Sequence, residues 1–227
     1  AVEFNMPALA LTDHGNMFGA VPFYKACQKR GITPIIGCEV YLTPGSRHAK
    51  NPDQRTRYHL VLLAKDLTGY HNLSRLVTLA HSEGFYYKPR IDKELLEQYH
   101  EGLIALSACL SGEVPKHLDR DDYEGARKAA AWYRDLFGPD DFFLELMDHG
   151  LERQRKINRG LVSLAGELDL GLTATNDSHF LDHGDHRAHD VLLCIQTGKT
   201  LADGERMRFE SDQVYFKSPE EMTELFG

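Results

Sequence analysis

Six metal-ligand side chains stand at or beside short apolar runs in this sequence. Leu9-Ala10-Leu11-Thr12 runs through Asp13 to His14, and Pro34-Ile35-Ile36-Gly37-Cys38 runs into Glu39. His59 opens the run that continues Leu60-Val61-Leu62-Leu63-Ala64, and Leu103 to Ala108 delivers Cys109. Leu172-Thr173-Ala174-Thr175-Asn176 delivers Asp177 and His179. His, Cys, Asp and Glu together are the side chains that hold Zn, Mn or Fe ions. The chemistry open to such a set is metal-assisted hydrolysis.

Each residue also has a plainer role. Asp177-Ser178-His179 puts two ligand types on one side of an extended segment, since alternate residues share a face. The same pair can be a helix N-cap followed by an ordinary polar His. Asp13 can hold the ring of His14 by accepting from its second nitrogen, or can cap the helix that follows. A carboxylate at Glu39, inside an apolar run, costs several kcal/mol unless paired or metal-bound, on the order given by polar-group transfer. It can bridge two ions or pair with a Lys or Arg. Cys109 alone reads as a small buried hydrophobe, and His59 alone as a satisfied core histidine. The shared strand-end placement is what raises them together. Asp148-His149 repeats that placement, although Gly150 and a new helix make a cap or a substrate contact equally open. His183, His186 and His189, three residues apart, read as one polar helix face.

The elements that must position these residues are short, uninterrupted apolar runs, as expected of strands buried on both faces. Strands are expected near 8–12, 34–42, 58–64, 103–108, 141–147 and 171–176. Helical patterns occupy 17–30, 67–80, 93–99, 122–137 and 151–168, with Gly31 and Gly138 at helix ends. Strand alternating with helix implies a parallel sheet, and a parallel barrel gathers its strand ends at one mouth. Residues 43–57 form a polar, basic loop, and 180–190 a His-rich bend before an apolar helix start at 191–195.

Composition removes several function classes. No apolar run approaches the roughly 18 residues of a membrane span. The cysteines at 27, 38, 109 and 194 are scattered, which favours a reduced, cytoplasmic setting over a disulfide framework. There is no Gly-rich nucleotide loop and no Gly-x-Ser-x-Gly nucleophile turn. A Cys–His pair from Cys109 and His59 would leave Glu39, His14, Asp177 and His179 unexplained. Net charge is −8, yet residues 25–65 carry eight basic side chains against two acidic ones, so the remainder carries −14. A local basic face suits a phosphate-bearing substrate. Tyr86-Tyr87-Lys88-Pro89-Arg90 mixes the aromatic and basic residues that contact nucleic-acid strands.

These motifs resemble the PHP (polymerase and histidinol phosphatase) family, along essentially the whole chain. The wording is closest to the N-terminal PHP domains of bacterial replicative DNA polymerases. The specific stretches are Pro7 to Gly19, Pro34 to Glu39, Ala174 to His179 and Gln196 to Leu201. The resemblance implies an α/β fold, a distorted (β/α)7 TIM-like barrel over residues 1–200, with 201–227 leading toward a polymerase core. It implies His14, Glu39, His59, Cys109, Asp177 and His179 as ligands of up to three divalent ions, with Zn, Mn, Fe and Mg not separable by a mixed donor set. The family's opening motif, a His-x-His strand with a following Asp, is not in this sequence. The chain is therefore expected to be a fragment lacking the first strand and helix of the barrel.

The implied activity is 3′–5′ exonucleolytic removal of a mispaired primer terminus. Asp177, His179 and Glu39 would be the catalytic ion holders, while Arg55, Arg57 and Arg90 would steer the DNA strand. Implied partners are the primer 3′ end, the remainder of the polymerase subunit, the sliding clamp and any separate proofreading exonuclease. No membrane is involved in this reading. Two alternatives stand beside it: a catalytically silent domain that braces the polymerase, and a phosphomonoesterase of the histidinol-phosphate type.

Overall fold

The computed structural model describes residues 1–227; the side chains of Asp53 and Gln54, inside the basic 43–57 loop, lie outside the described set. Strands and helices alternate in a mixed α/β fold: β1 (Ala8–Leu11), α1 (Ala20–Arg30), β2 (Thr33–Leu42), β3 (Tyr58–Ala64), α2 (Leu67–Ser82), β4 (Arg90–Ile91), α3 (Lys93–Tyr99), β5 (Leu103–Leu106), α4 (Glu113–Asp119), α5 (Tyr123–Phe137), β6 (Phe142–Leu146), α6 (Glu152–Leu168), β7 (Gly171–Ala174), α7 (His186–Thr197) and α8 (Pro219–Phe226). Helix starts follow local chemistry. The side chains of Asp66, Asp92 and Asp122 accept from the first-turn backbone N–H groups of α2, α3 and α5. Gly31 ends α1 in the left-handed region at φ 70.

The seven strands form one curled sheet in the order β1-β2-β3-β5-β6-β7, with β4 also on β2. The sheet is not wholly parallel, which corrects the expectation from alternation. β3 runs antiparallel to both β2 and β5, whereas β1, β4 and β2 are mutually parallel, as are β5, β6 and β7. A parallel return needs a helical crossover. The 43–57 loop contains only a 3-10 turn at Pro52–Arg55, so the chain comes straight back beside β2.

Side-chain alternation sorts the core into two sets. Cys38, Val40, Leu42, Leu60, Leu62, Ala105, Phe142 and Leu144 face outward and pack against the helices. Val61, Leu106 and Ala108, joined by Leu63, Ile104 and Phe143, fill the inner, concave side. Glu39, His59 and Glu145 belong by parity to that inner side, above its apolar floor. Among the described residues, no helix is long and apolar enough to cross a membrane.

Candidate metal centre

β1 and β2 keep one register past the end of β1. Leu11 pairs with Ile36, and the same offset brings His14 beside Glu39 in a further bridge. Glu39 N donates to Asp13 O at 3.1 Å and Gly15 N to Glu39 O at 2.9 Å. His14 thus lies beside a carboxylate that is only 4% exposed. Gly15, at φ 69, turns the chain away; a Cβ there would stand 2.9 Å from the ring of Pro89.

The reversal of β3 explains why His59 sits at the start of its strand while His14, Cys109, Asp177 and His179 follow theirs and Glu39 lies within β2. The start of an antiparallel strand lies at the same mouth as the ends of its parallel neighbours. His59 N donates to Ser111 O at 3.0 Å, which fixes that start against the loop after β5. The same loop carries Cys109, preceded by Ala108 at φ 62. A buried alanine in the left-handed region costs about 1 to 3 kcal/mol, and such strain collects at functional sites.

The side chains converge. His14 and His59 each place Nδ1 2.7 Å from the same Glu39 oxygen, Oε1. Cys109 Sγ is 3.8 Å from His59 Nδ1, and ligand atoms of Glu39, His59 and Cys109 all lie within 4.8 Å of one another. The His14 and His179 rings are 5.6 Å apart. His179 Nδ1 donates to its neighbour's backbone, Asp177 O, at 2.6 Å, which leaves Nε2 with the lone pair. Asp177 itself has a left-handed φ of 44. Burial works to raise the Glu39 carboxyl, but the two histidine hydrogen bonds and their charges carry it down to about 2. The hydrogen bond to Glu39 raises His14, against its partial burial. Burial, followed by the charges of Asp177 and Glu39, pushes the Cys109 thiol far up.

Glu39, His59 and Cys109 thus form one group within ligand reach, His14 shares the Glu39 oxygen, the His179 ring lies beside His14, and the Asp177 carboxylate is 3.8 Å from His179 Nδ1. The expectations for the surrounding residues fare differently. Asp13 does not orient His14: among the described residues no bond joins them, and its carboxylate lies toward Gly19 at the start of α1. Neighbours on an extended segment point to opposite sides. Arg90 is also withdrawn as a strand-steering residue. It is 0% exposed, and its guanidinium donates to Gly84 O, Arg47 O and Ala49 O. Arg47 from the basic loop is buried against Asp92 and Glu83. Arg57 and Lys88 lie over the ring of Tyr41, which packs edge-on against His59, whereas Arg55 lies over the ring of Tyr87. The three histidines do not share one helix face: His183 lies in the 3-10 turn before α7, exposed and paired with Asp212 at 3.0 Å, whereas His189 on α7 packs on His179 and Phe209. His149 is buried beneath the Asp177 loop, with Nε2 donating to Asn176 O at 3.0 Å.

Two features escaped the sequence reading. Glu145, 5% exposed, takes a bond from Thr175 Oγ1 at 2.5 Å, while its Oε2 has no partner among the described residues. Burial first, then the charges of Asp177 and Glu39, pushes it up to about 7. The signal was a carboxylate inside an apolar strand, the same one that marked Glu39. The second is a strap. Asn176 Nδ2 donates to Gln213 O and Tyr215 O, Ser178 Oγ to Tyr215 O, and His179 N to Val214 O. Residues 213–215 thereby hold the Asp177–His179 loop.

The PHP domain sequence model matches residues 1–149. Curated relatives include the DNA polymerase III subunit alpha of Borreliella burgdorferi, 46% identical over 100% of this chain and 20% of that protein. The same subunit of Treponema pallidum is 48% identical over 100% of this chain and 20% of its own length. That of Thermus aquaticus is 49% identical over 95% of this chain and 18% of its own length. The chain thus spans about a fifth of the relatives it matches. Among solved structures, a putative metal-dependent phosphoesterase from Bifidobacterium adolescentis has a TM-score of 0.49 at 12% identity, over 78% of this chain and 79% of that one. With two thirds of its length matched by the family's own sequence model, the chain belongs to the PHP domain family.

Proposed function

We propose that this chain is the PHP domain of a replicative DNA polymerase III alpha subunit and that its mouth is a metal-dependent phosphodiesterase centre acting at a DNA 3′ end. The observation that carries the reading is the shared Glu39 oxygen, with two imidazoles at 2.7 Å and a thiol close by. The donor set fits a divalent cation. Nitrogen, oxygen and sulfur donors converge on a concave, mostly buried point, and a thiol this hard to ionise becomes a thiolate when a cation replaces its proton. Glu39, His59 and Cys109 would hold one ion, and His14, Asp177 and His179 would extend the cluster. Bound divalent ions supply a water of lowered pKa and stabilise the leaving oxygen.

The chain's own groups do the remaining work. Arg57 and Lys88, held at the ring of Tyr41, present positive charge to backbone phosphates. His179 keeps its Nε2 lone pair available because Nδ1 is committed to Asp177 O. The apolar floor of Val61, Leu106 and Ala108 keeps water from below. The test is metal analysis with a primer-degradation assay on the polymerase subunit that carries this domain. Bound metal and shortening of the primer from its 3′ end, both lost in Asp177→Asn, are expected. Metal without cleavage assigns the domain a bracing role. Preference for a free phosphate monoester assigns a phosphomonoesterase.

A further inference from the structure

A second cavity, of about 420 Å3, opens beside the metal centre between the loop after β6, the start of α7 and the strap. Its volume falls in the range of about 300 to 1,000 Å3 usual for small-molecule sites. Phe209 forms one wall, and Glu210, Asp212 and Gln213 contribute polar walls over His149. No Lys or Arg lines it among the described residues.

Phe209 belongs to both places. Its ring lies 4.6 Å from that of His179 and 4.9 Å from that of His189. From His179 the contacts run on across the mouth: to His14 at 5.6 Å, from His14 to His59 at 6.1 Å, and from His59 to Tyr41 at 5.3 Å. Arg57 sits 5.8 Å from the Tyr41 ring and Lys88 5.5 Å. The mouth is thus crossed by one continuous row of rings, basic at the Tyr41 end and acidic beyond Phe209. The two ends ask for different parts of a ligand. Phosphates are attracted to the basic end and repelled by Glu210 and Asp212, whereas the carboxylates suit hydroxyl and amino donors. An aromatic wall accepts any nucleobase by stacking.

We propose that this cavity receives the terminal nucleoside of a strand whose last internucleotide phosphate lies at the metal centre. A 3′-terminal nucleoside has no charge beyond that phosphate, and the rest of the strand carries its phosphates toward Arg57 and Lys88. Phe209 stacks on the base, and Glu210 and Asp212 face its hydroxyl and amino donors. The inference rests on the phosphodiesterase reading for the phosphate, but the cavity's own ligand is the uncharged nucleoside.

The test is a nuclear magnetic resonance titration of the 227-residue chain, with and without Zn2+, using thymidine, thymidine 5′-monophosphate and deoxyribose 5-phosphate as probes. Both thymidine compounds are expected to shift the signals of Phe209 and of residues 210–213. Phe209→Leu keeps an apolar side chain and removes the ring; it is expected to weaken both by roughly tenfold, as loss of a base stack does. Deoxyribose 5-phosphate, lacking a base, is expected to bind equally to Phe209→Leu and to the parent chain. Thymidine compounds that leave 209–213 unshifted, or that bind Phe209→Leu as tightly as the parent, overturn the proposal. Failure of the metal-centre reading looks different: neither phosphate compound then responds to Zn2+, while thymidine still shifts Phe209.

Discussion

Glu39 and Glu145 show how one residue type in one kind of place takes opposite states. Both are buried on the concave face, 4% and 5% exposed, respectively. Glu39 has two imidazoles on one oxygen and is held ionised, at about 2. Glu145 has one hydroxyl donor and like charges near it, and burial raises it to about 7. Its folded pKa lies above the ordinary value, so the unfolded chain ionises first as pH rises. Stability from Glu145 is complete below about pH 4.5 and falls away as pH rises to about 7. Glu145→Gln keeps the acceptor for Thr175 and removes the ionisation. At pH 8 the metal-free variant is expected to exceed the parent chain by up to roughly 3 kcal/mol, with the gap closing near pH 4.5. Urea unfolding at the two pH values measures it; a gap independent of pH would refute the assignment.

At the scale of elements, the mouth is made by register and by one reversed strand. The unbroken offset between β1 and β2 delivers His14 to Glu39, and the return of β3 delivers His59 to the same oxygen. The candidate ligands were legible because each interrupts or bounds an apolar run, where a polar residue must have a partner. The direction of β3 was not legible from alternation, although the missing helical pattern in 43–57 was its trace. Arg90 misled for a different reason: its sequence neighbours are aromatic and basic, but its partners are carbonyls of residues 47, 49 and 84. The strap was hidden because its bonds use backbone carbonyls, which leave no mark on residue type. Asn176→Ala removes the bonds to Gln213 O and Tyr215 O, which keep their bonds from Lys217 Nζ and Ser178 Oγ, and is expected to cost about 1 to 3 kcal/mol for the two bonds lost. It is also expected to release metal from the Asp177–His179 side more readily than Ser178→Ala. Thermal unfolding with and without added metal reads both effects.

Across the molecule, charge is divided between structure and surface. Arg90 and Arg47 are enclosed, whereas Arg57 and Lys88 stay beside the mouth at Tyr41. Arg90→Ala is expected to destabilise the fold by about 3 kcal/mol or more, since it leaves enclosed carbonyls without donors. Arg57→Ala is expected to leave unfolding unchanged. It should weaken single-stranded oligonucleotide binding and reduce the salt slope by about 0.7 for one lost phosphate contact. Equal effects of the two variants on binding and on unfolding would break this division. Everything else depends on the centre taking a metal through nitrogen, oxygen and sulfur together. The most direct measurement is the absorption spectrum of the chain loaded with Co2+. Uptake with a thiolate-to-cobalt charge-transfer band is expected, with the band absent from Cys109→Ser and uptake lost in Glu39→Gln. A band that survives in Cys109→Ser, or no uptake by the parent chain, would contradict the account.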